Sequence, residues 1–318
     1  MVKRTLGKTG IQVSKVAFGC VEIGMPYGIG VRSANDMLSE SDAVRLLQTA
    51  LKAGINFFDT ARAYGTSENI IGKAFKNCRS DVIIVTKCSH FLNTDGSVPA
   101  YQQLKQIIES SLHQSLLALQ TDYIDIYMLH NADANILHNE DVKTVFRDLK
   151  QSGVIRATGI STYTNEQTEM GIDAGVWDVI QVPFNMMDQR QSVLFDKAHN
   201  CGVGIVIRSV LLKGLLSDRG KNLHPALSAV EQHIGKYDSL ATTLGLPLSV
   251  LATRFALSFP QVSAILVGID KEEYLEQSLI AANGQYLNNE LFTQAKALAY
   301  PDPVFLDLPK WDREGWLK

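Results

Sequence analysis

Residues 122–159 read DYIDIYMLHNADANILHNEDVKTVFRDLKQSGVIRATG, and this stretch predicts the fold. Two short β-branched runs, Ile124–Leu129 and Ile155–Gly159, flank a segment, Glu140–Gln151, whose apolar residues recur at helical spacing. Gly153 follows that segment at the position where glycine commonly ends a helix. A strand, a helix and a second strand in this order are typical of a βαβ unit with parallel strands.

The same unit recurs along the whole chain. Candidate strands are Val16–Phe18, Asn56–Asp59, Val82–Thr86, Ile124–Leu129, Ile155–Gly159, Val179–Val182, Gly204–Ile207 and Ala264–Val267. Candidate helices are Ser41–Ala53, Ser67–Phe75, Gln102–Leu119, Glu140–Gln151, Glu166–Ala174, Ser192–Asn200, Ser249–Leu257 and Lys271–Ala282. Eight units without a linker or a shift in composition predict an α/β fold, a (β/α)8 TIM barrel, as a single domain over residues 1–318. We expect an N-terminal β-hairpin and a C-terminal tail, and a doubly wound open sheet with a second domain is the alternative.

Composition limits the partners of the chain. Of its 318 residues 46% are hydrophobic and 20% are charged, which is typical of a globular protein and excludes a disordered one. The formal net charge is −3 and no basic run occurs, so nucleic acid and membrane surfaces are not expected partners. The expected partner is a small molecule, and the sequence does not indicate an oligomeric state.

Four cysteines (Cys20, Cys78, Cys88 and Cys201) show neither CxxC spacing nor a cluster with histidine. This pattern predicts neither a disulfide framework nor a metal site. The first residues, MVKRTLGKTG, lack the apolar run of a secretory signal. We therefore expect a cytoplasmic protein.

Three successive candidate strands end in titratable side chains. Asp59 ends the second strand, Lys87 follows the third, His130 follows the fourth, and Tyr64 lies five residues beyond the acid. Each residue alone is more typical of a cap, a solvated cation or a structural histidine. Because active sites of (β/α)8 barrels lie at the carboxyl ends of the strands, these side chains are expected to converge on one site.

These side chains suit proton transfer to a carbonyl oxygen. A buried lysine beside Tyr64 is expected to favour the phenolate, so that the tyrosine passes a proton near neutral pH. Asp59 is expected to hold Lys87, and a neutral His130 to donate a hydrogen bond to the substrate oxygen. Since no side chain can supply hydride, this chemistry implies a nicotinamide cofactor.

The segments that carry these residues resemble those of the aldo-keto reductase family. The resemblance rests on Phe57-Phe58-Asp59-Thr60-Ala61-Arg62-Ala63-Tyr64-Gly65, Thr86-Lys87 and Leu129-His130, and extends from Arg4 to about Leu279. It implies a (β/α)8 barrel that binds extended NAD or NADP, with Asp59, Tyr64, Lys87 and His130 as a catalytic tetrad. In this family the tyrosine is the general acid in reduction and the general base in oxidation.

The resemblance also implies cofactor-binding positions. Ser161, Thr162 and Gln181 match residues around the nicotinamide carboxamide, with Thr162 in place of an asparagine. Residues 208–216 resemble the strap around the pyrophosphate, and Arg208 replaces a tyrosine that stacks on the nicotinamide in many members. The full set of implied contacts is Ser161, Thr162, Gln181, Arg208, Ser209, Leu211, Gly214, Gly268, Asp270, Gln277 and Ser278.

Asp270 bears on the choice of cofactor. It matches a position that carries a cation for the 2′-phosphate in NADP-dependent members of the family. A carboxylate there repels a phosphate and accepts hydrogen bonds from a free ribose hydroxyl, so NAD is favoured over NADP. Lys271, the next residue, opposes this inference.

The substrate is predicted only as a class. Tyr64, His130, Asn131 and Trp311 are the candidate substrate contacts, and aromatic and amide residues in the loops suit a sugar-like ring. The preferred activity is an NAD-linked sugar-type dehydrogenase. Its alternatives are an NADPH-dependent aldehyde or ketone reductase and, outside catalysis, a nucleotide-binding regulatory subunit.

Three other features of the sequence give weaker evidence of function. Gly7-Lys8-Thr9 lacks the leading glycine of a phosphate loop, because position 2 is Val2. Cys88 has no base linked to it in the sequence, and a buried thiol is its expected state. A glycoside hydrolase needs two carboxylates at its active site, but Asp59 is the only acid that clearly ends a candidate strand. This enzyme class is therefore not favoured.

Overall fold

The structure is a computed structural model that describes residues 1–31 and 33–317. Strands β1 (Lys3–Thr5) and β2 (Gln12–Ser14) form an antiparallel hairpin at the N-terminus, as predicted. The other strands are β3 (Val16–Gly19), β4 (Phe57–Asp59), β5 (Ile83–Cys88), β6 (Ile124–Leu129), β7 (Ile155–Ser161), β8 (Val179–Pro183), β9 (Gly204–Arg208) and β10 (Val262–Gly268). These eight parallel strands close into a barrel in the order β10-β3-β4-β5-β6-β7-β8-β9, which confirms the predicted fold class.

Helices surround the barrel. They are α1 (Glu40–Lys52), α2 (Ser67–Phe75), α3 (Tyr101–Leu119), α4 (Ala134–His138), α5 (Glu140–Gln151), α6 (Asn165–Asp173), α7 (Phe195–Asn200), α8 (Ser228–Thr243), α9 (Leu248–Leu257), α10 (Glu272–Ala281), α11 (Asn289–Ala297) and α12 (Leu308–Arg313). In α5 the buried residues are Val142, Val145, Phe146 and Leu149, spaced by three and four. They form one apolar face, as expected for a helix that covers a sheet.

Successive side chains along each strand point alternately into two separate hydrophobic cores. Side chains such as Phe57, Val85, Ile126 and Val206 fill the barrel interior. Their neighbours in sequence, such as Phe58, belong to the larger core between the strands and the helices. Because side chains two residues apart point to the same face of a strand, the inward rows continue to the residues that end each strand.

The chain departs from the predicted helices between β8 and β10. Residues predicted as one helix, Ser192–Asn200, form a 3-10 helix over Arg190–Leu194 followed by the short α7. Helix α8, which was not predicted, contains Gly235, and its residues Ser239 and Thr242 bond to backbone carbonyls four residues earlier. Such residues favour a helix weakly, so packing of its buried face onto the core stabilises α8.

Within residues 1–31 and 33–317, no single helix is long and apolar enough to cross a bilayer. One pair, Pro225–Thr243 and Leu248–Leu257, passes the same length and composition test only when taken together, and it is bent by 89°.

Candidate active site

The inward rows of the strands end in polar side chains at the carboxyl rim of the barrel. Asp59 on β4 lies two residues after the inward-facing Phe57. In the same way Lys87 on β5 lies two residues after Val85, and His130, just beyond β6, lies two residues after Met128. By the same period of two, Ala157 leads to Ser161, Val179 to Gln181, and Val206 to Arg208. The strand periodicity thus places all six polar groups in one layer above the apolar barrel core.

Asp59 and Lys87 form the buried centre of this layer. Lys87 Nζ donates to Asp59 Oδ1 at 2.6 Å and to the Thr60 carbonyl at 3.0 Å. Gln181 Nε2 donates to the other carboxylate oxygen of Asp59 at 2.8 Å. Because both oxygens of Asp59 are bonded, its carboxylate is a fixed partner of the lysine and is not available as a nucleophile or base.

Tyr64 is positioned by a close approach of two loops. The Gly65 backbone, with φ +55°, crosses the turn after β3 so closely that a Cβ atom on Gly65 would lie 2.2 Å from the Gly24 carbonyl oxygen. The Thr66 amide donates to that same carbonyl at 3.1 Å. A side chain at either glycine would push the loops apart, so these glycines set the position of Tyr64.

Tyr64, Lys87 and His130 lie together. Lys87 Nζ lies 4.9 Å from the centre of the Tyr64 ring, and the Tyr64 and His130 rings meet edge to face at 5.4 Å. The exposed ring of His90 stacks on His130 with centroids 5.8 Å apart. Burial, together with the nearby Lys87 and His90, lowers the pKa of His130 to about 3, so this imidazole is neutral at physiological pH.

The pKa of Tyr64 corrects one expectation. Burial raises the pKa of Tyr64 above its ordinary value, and the negative charge of Asp59 raises it further, whereas Arg208 lowers it. The predicted shift toward neutral pH is therefore wrong, because Asp59 neutralises the cation that was expected to stabilise the phenolate. Tyr64 holds its proton at neutral pH.

A cavity of about 350 Å³ opens over this layer and extends away from it. Asp59, Tyr64, His130, Ser161, Gln181 and Arg208 line one end. Ser209, Leu211, Gly214, Gly268, Asp270, Gln277 and Ser278 continue the lining toward α10. The volume falls within the usual range for small-molecule and cofactor sites. With the exception of Thr162, every residue implied as a cofactor contact lines this cavity.

The segment after β9 has an unusual backbone. Ser209, Leu212 and Lys213 have φ angles of +61°, +46° and +59°, and Gly214 follows at +105°. Left-handed conformations in three non-glycine residues within five positions cost free energy, and such strain is concentrated at functional sites. The strap along the cavity is thus held in a shape that local preference alone does not give.

Beyond the strap, the cavity is lined by a charge pair. Arg219 and Asp270 lie 3.5 Å apart, and the Arg219 guanidinium lies 5.3 Å from the centre of the Tyr274 ring. Ser249 donates to Gln277 at 2.6 Å nearby. This end therefore presents both charges and amide groups to a ligand, and Lys271 is exposed outside the lining.

Comparison with known proteins identifies the family. Residues 24–299 match the model of the aldo/keto reductase family. The chain is an aldo-keto reductase. It is therefore an NAD(P)-dependent oxidoreductase that interconverts carbonyl and alcohol groups of small molecules.

Individual relatives agree with this assignment. An uncharacterized oxidoreductase of Bacillus subtilis (strain 168), YqkF, is 29% identical over 304 residues, covering 91% of this chain and 94% of that protein. The L-galactose dehydrogenase of Arabidopsis thaliana is 28% identical over 318 residues, covering 94% of each. The holo form of the aldo-keto reductase AKR11C1 from Bacillus halodurans superposes with a TM-score of 0.80 at 28% identity, covering 94% of this chain and 96% of that one.

Glu22 is a cavity residue of this aldo-keto reductase that sequence reasoning missed. Its Oε2 atom is buried without a hydrogen-bond partner among the described residues, and its Oε1 atom lies where a Cβ atom on Gly268 would be, 2.1 Å away. Burial raises the pKa of Glu22 to about 8, and Asp270 adds to the shift. No periodic pattern marks Glu22, because it lies in the turn beyond β3 and not on the strand.

Three predicted contacts take other positions. The Thr162 side chain is fully buried and bonds to Thr168 at 2.7 Å, so it faces the core and not the cavity. Trp311 is also fully buried and packs on Phe305, which corrects the prediction that it contacts substrate. Asn131 is exposed and lines a pocket of about 30 Å³ beside His130, outside the main cavity.

Other strand residues have structural roles. Asp125 binds Arg79 and Arg156, each at 2.7 Å, and Asp178 binds Lys150 at 2.6 Å. Burial raises the pKa of Cys88 to about 11, so it remains a thiol, as expected for a buried cysteine. Residues 1–31 and 33–317 contain no group of three or more His, Cys, Asp or Glu side chains that could hold a metal ion.

Proposed function

We propose that this aldo-keto reductase transfers hydride between NAD(H) and a sugar-like carbonyl or alcohol, with Tyr64 as the group that gives or takes the proton. The observation that carries this proposal is the arrangement of Tyr64 and His130 in the cavity lining, with the buried Lys87 beside them. Bound in the cavity, the nicotinamide supplies the hydride that no side chain can provide.

The lining of the cavity fits an extended dinucleotide. Ser161 and Gln181 at the reaction end offer a hydroxyl and an amide to a carboxamide. The strained strap from Ser209 to Gly214 allows a diphosphate to approach its backbone closely. Asp270, Gln277 and Ser278 are then left for the adenosine. The buried side chain of Thr162 does not contact the dinucleotide in this arrangement.

The proton step is assigned to Tyr64. In reduction, the protonated phenol donates to the substrate oxygen, which is a stronger base than phenolate once it develops alkoxide character. The neutral His130 donates a hydrogen bond to the same oxygen and orients the carbon. Arg208, whose charge lowers the pKa of Tyr64, favours the phenolate that forms. Lys87 is held by Asp59 beside the ring. In oxidation the same groups act in reverse.

NAD is the proposed coenzyme. The Asp270 carboxylate lines the part of the cavity assigned to the adenosine, and the cation beside it, Arg219, is already paired with it. A 2′-phosphate would meet this carboxylate, whereas a free ribose hydroxyl can donate to Asp270. This balance of charge supports NAD over NADP.

A sugar-like substrate is supported by the walls of the reaction end. Tyr27 and Tyr163 line the cavity beside polar Tyr64 and His130, so an apolar face can stack while hydroxyls bond. One relative at 28% identity is an L-galactose dehydrogenase. The cytoplasmic location and the absence of nucleic-acid or membrane partners remain predictions from the sequence.

Two measurements test the proposal. Titration of protein fluorescence with NADH and NADPH separately should show tighter binding of NADH. Aldoses should then reduce NAD in the presence of the enzyme. Tighter binding of NADPH together with turnover of simple aldehydes only would instead support the alternative, an NADPH-dependent aldehyde or ketone reductase. Binding of a coenzyme without turnover of any carbonyl or alcohol would contradict both.

A further inference from the structure

Charge is unevenly compensated among the cations that line the cavity. Lys213 is paired with Asp312 and Arg219 with Asp270. The buried Lys87, which does not line the cavity, is paired with Asp59. Arg208 also lines the cavity, yet among residues 1–31 and 33–317 no carboxylate lies within ion-pair distance of it. Arg208 is therefore a cavity cation without a countercharge.

Arg208 is nevertheless held in a defined position. Its Nη2 atom donates to the Thr162 carbonyl at 3.1 Å, and Nη1 donates to the Ser209 hydroxyl at 3.4 Å. The guanidinium lies 4.4 Å from the centre of the Tyr163 ring. These contacts fix its plane but involve neutral acceptors, so the charge and part of the donor fork remain for a ligand.

The charge of Arg208 acts at the reacting atoms. It lowers the pKa of both Tyr64 and His130, which places it within electrostatic reach of the proton donor and of the substrate oxygen site. The other groups there contribute no net charge, since Asp59 and Lys87 cancel, Tyr64 is a neutral phenol and His130 a neutral imidazole. The reaction end of the cavity thus carries about one positive charge, that of Arg208.

We propose that the physiological substrate carries an oxyanion group, a carboxylate or a phosphate, and that Arg208 binds it and thereby selects anionic over neutral carbonyl compounds. This inference rests on the proposed function and adds a substrate class to it: a sugar-like compound with an acidic group. A guanidinium fork matches the two oxygens of either group, so both sources share one chemistry. Binding of the oxyanion supplies the countercharge that the protein does not.

The test compares substrates that differ in one charge. One pair is 4-carboxybenzaldehyde and its neutral methyl ester, and the other is D-glyceraldehyde 3-phosphate and D-glyceraldehyde; the two pairs separate carboxylate from phosphate. For the wild-type enzyme, kcat/KM should be roughly 10-fold or more higher for the anionic member of at least one pair. In Arg208→Gln the ratio of kcat/KM between the anionic and the neutral member should fall to about one, whatever change the substitution makes to both rates in common.

Two further variants make the result specific. Arg208→Lys keeps the charge without the fork and should retain part of the preference. Arg147→Gln removes an exposed cation of α5 and serves as a control for net charge, so its preference should equal that of the wild type. Thermal unfolding of each variant shows whether it is folded before rates are compared.

Three outcomes would overturn the inference. The first is equal kcat/KM for the charged and neutral members in the wild-type enzyme. The second is a preference that Arg208→Gln leaves unchanged. The third is a weaker affinity for NADH in Arg208→Gln with the substrate preference intact, which would assign the cation to the coenzyme. Inertness of all four compounds and of every other carbonyl and alcohol would contradict the proposed function instead.

Discussion

Lys87 Nζ lies 2.6 Å from Asp59 Oδ1, and the two side chains are only 1% and 4% exposed. The pair lies beneath Tyr64, at the point where β4 and β5 end. Burial of two charges is costly unless each is compensated, so the pair acts as a neutral unit. The pair explains the fixed position of the lysine, while burial is the main cause of the raised pKa of Tyr64 and the charge of Asp59 adds to it.

Replacement of Asp59 by Asn should destabilise the fold strongly. The substitution keeps the shape but leaves the buried Lys87 without a countercharge, and removal of one partner of such a pair costs about 3–5 kcal/mol. Urea unfolding at neutral pH measures the change. Asp42→Asn, which breaks an exposed pair with Arg45, is the matched control and should cost less than about 1 kcal/mol. Equal stability of the two variants would refute the neutral-unit account.

Glu22 should make coenzyme affinity depend on pH. With its pKa raised to about 8, Glu22 is protonated below that pH and becomes a carboxylate above it. A new negative charge beside Asp270 repels the coenzyme diphosphate, so the affinity for NADH should be constant from about pH 6 to 7 and fall above about pH 8. Calorimetric titration across this range measures the affinity.

Neighbouring groups do not reproduce this dependence. Cys20, Tyr27 and Tyr64 have pKa values raised above their ordinary ranges and stay neutral, and the pKa of Arg219 is also raised, so Arg219 keeps its charge. Glu22→Gln should therefore bind NADH with no decline above pH 8, whereas Glu290→Gln, an exposed control in α11, should behave as the wild type. A decline that persists in Glu22→Gln would show that another group titrates.

Asp270 should control the choice of coenzyme. Asp270→Arg replaces the acid by a cation and releases Arg219 from its pair, so two cations then face a 2′-phosphate. The ratio of the NADH and NADPH dissociation constants should shift toward NADPH by roughly 10- to 100-fold. Asp141→Arg, an exposed change in α5, controls for net charge. An unchanged ratio would mean that Asp270 does not face the ribose.

The barrel and its polar rim follow from regular patterns in the sequence. The alternation of strand and helix predicts the closed parallel sheet, and the period of two along each strand carries Phe57 to Asp59 and Val85 to Lys87. Residues that end such rows can be assigned to one rim without knowledge of the loops. This is why Asp59, Lys87 and His130 were predicted to converge from the strand ends, whereas Gln181 and Arg208, which end similar rows, were predicted only from the resemblance to the family.

Residues in turns and tails do not obey such a period. Glu22 enters the cavity from the turn after β3, and Arg219 reaches Asp270 from beyond the strap. Trp311 was expected at the substrate, but its large apolar surface is buried in the core instead. Their positions depend on contacts between distant segments, which local sequence does not specify.

The pKa of Tyr64 could not be predicted from residue types alone. A lysine near a tyrosine lowers the pKa of the phenol only if its charge is uncompensated. In the structure Asp59 takes up that charge, and burial raises the pKa. The sign of the shift depends on geometry that the sequence does not contain.

The central claim is that Tyr64 transfers the proton, and the most direct test is the single-turnover rate of enzyme-bound NADH oxidation by an aldehyde in wild type, Tyr64→Phe and Tyr101→Phe. Tyr101 begins α3 and does not line the cavity, so its variant controls for loss of a hydroxyl elsewhere. Tyr64→Phe should bind NADH within about threefold of the wild type and lower the rate by roughly 10²- to 10⁴-fold. A rate for Tyr64→Phe within about threefold of Tyr101→Phe would contradict the assignment of Tyr64.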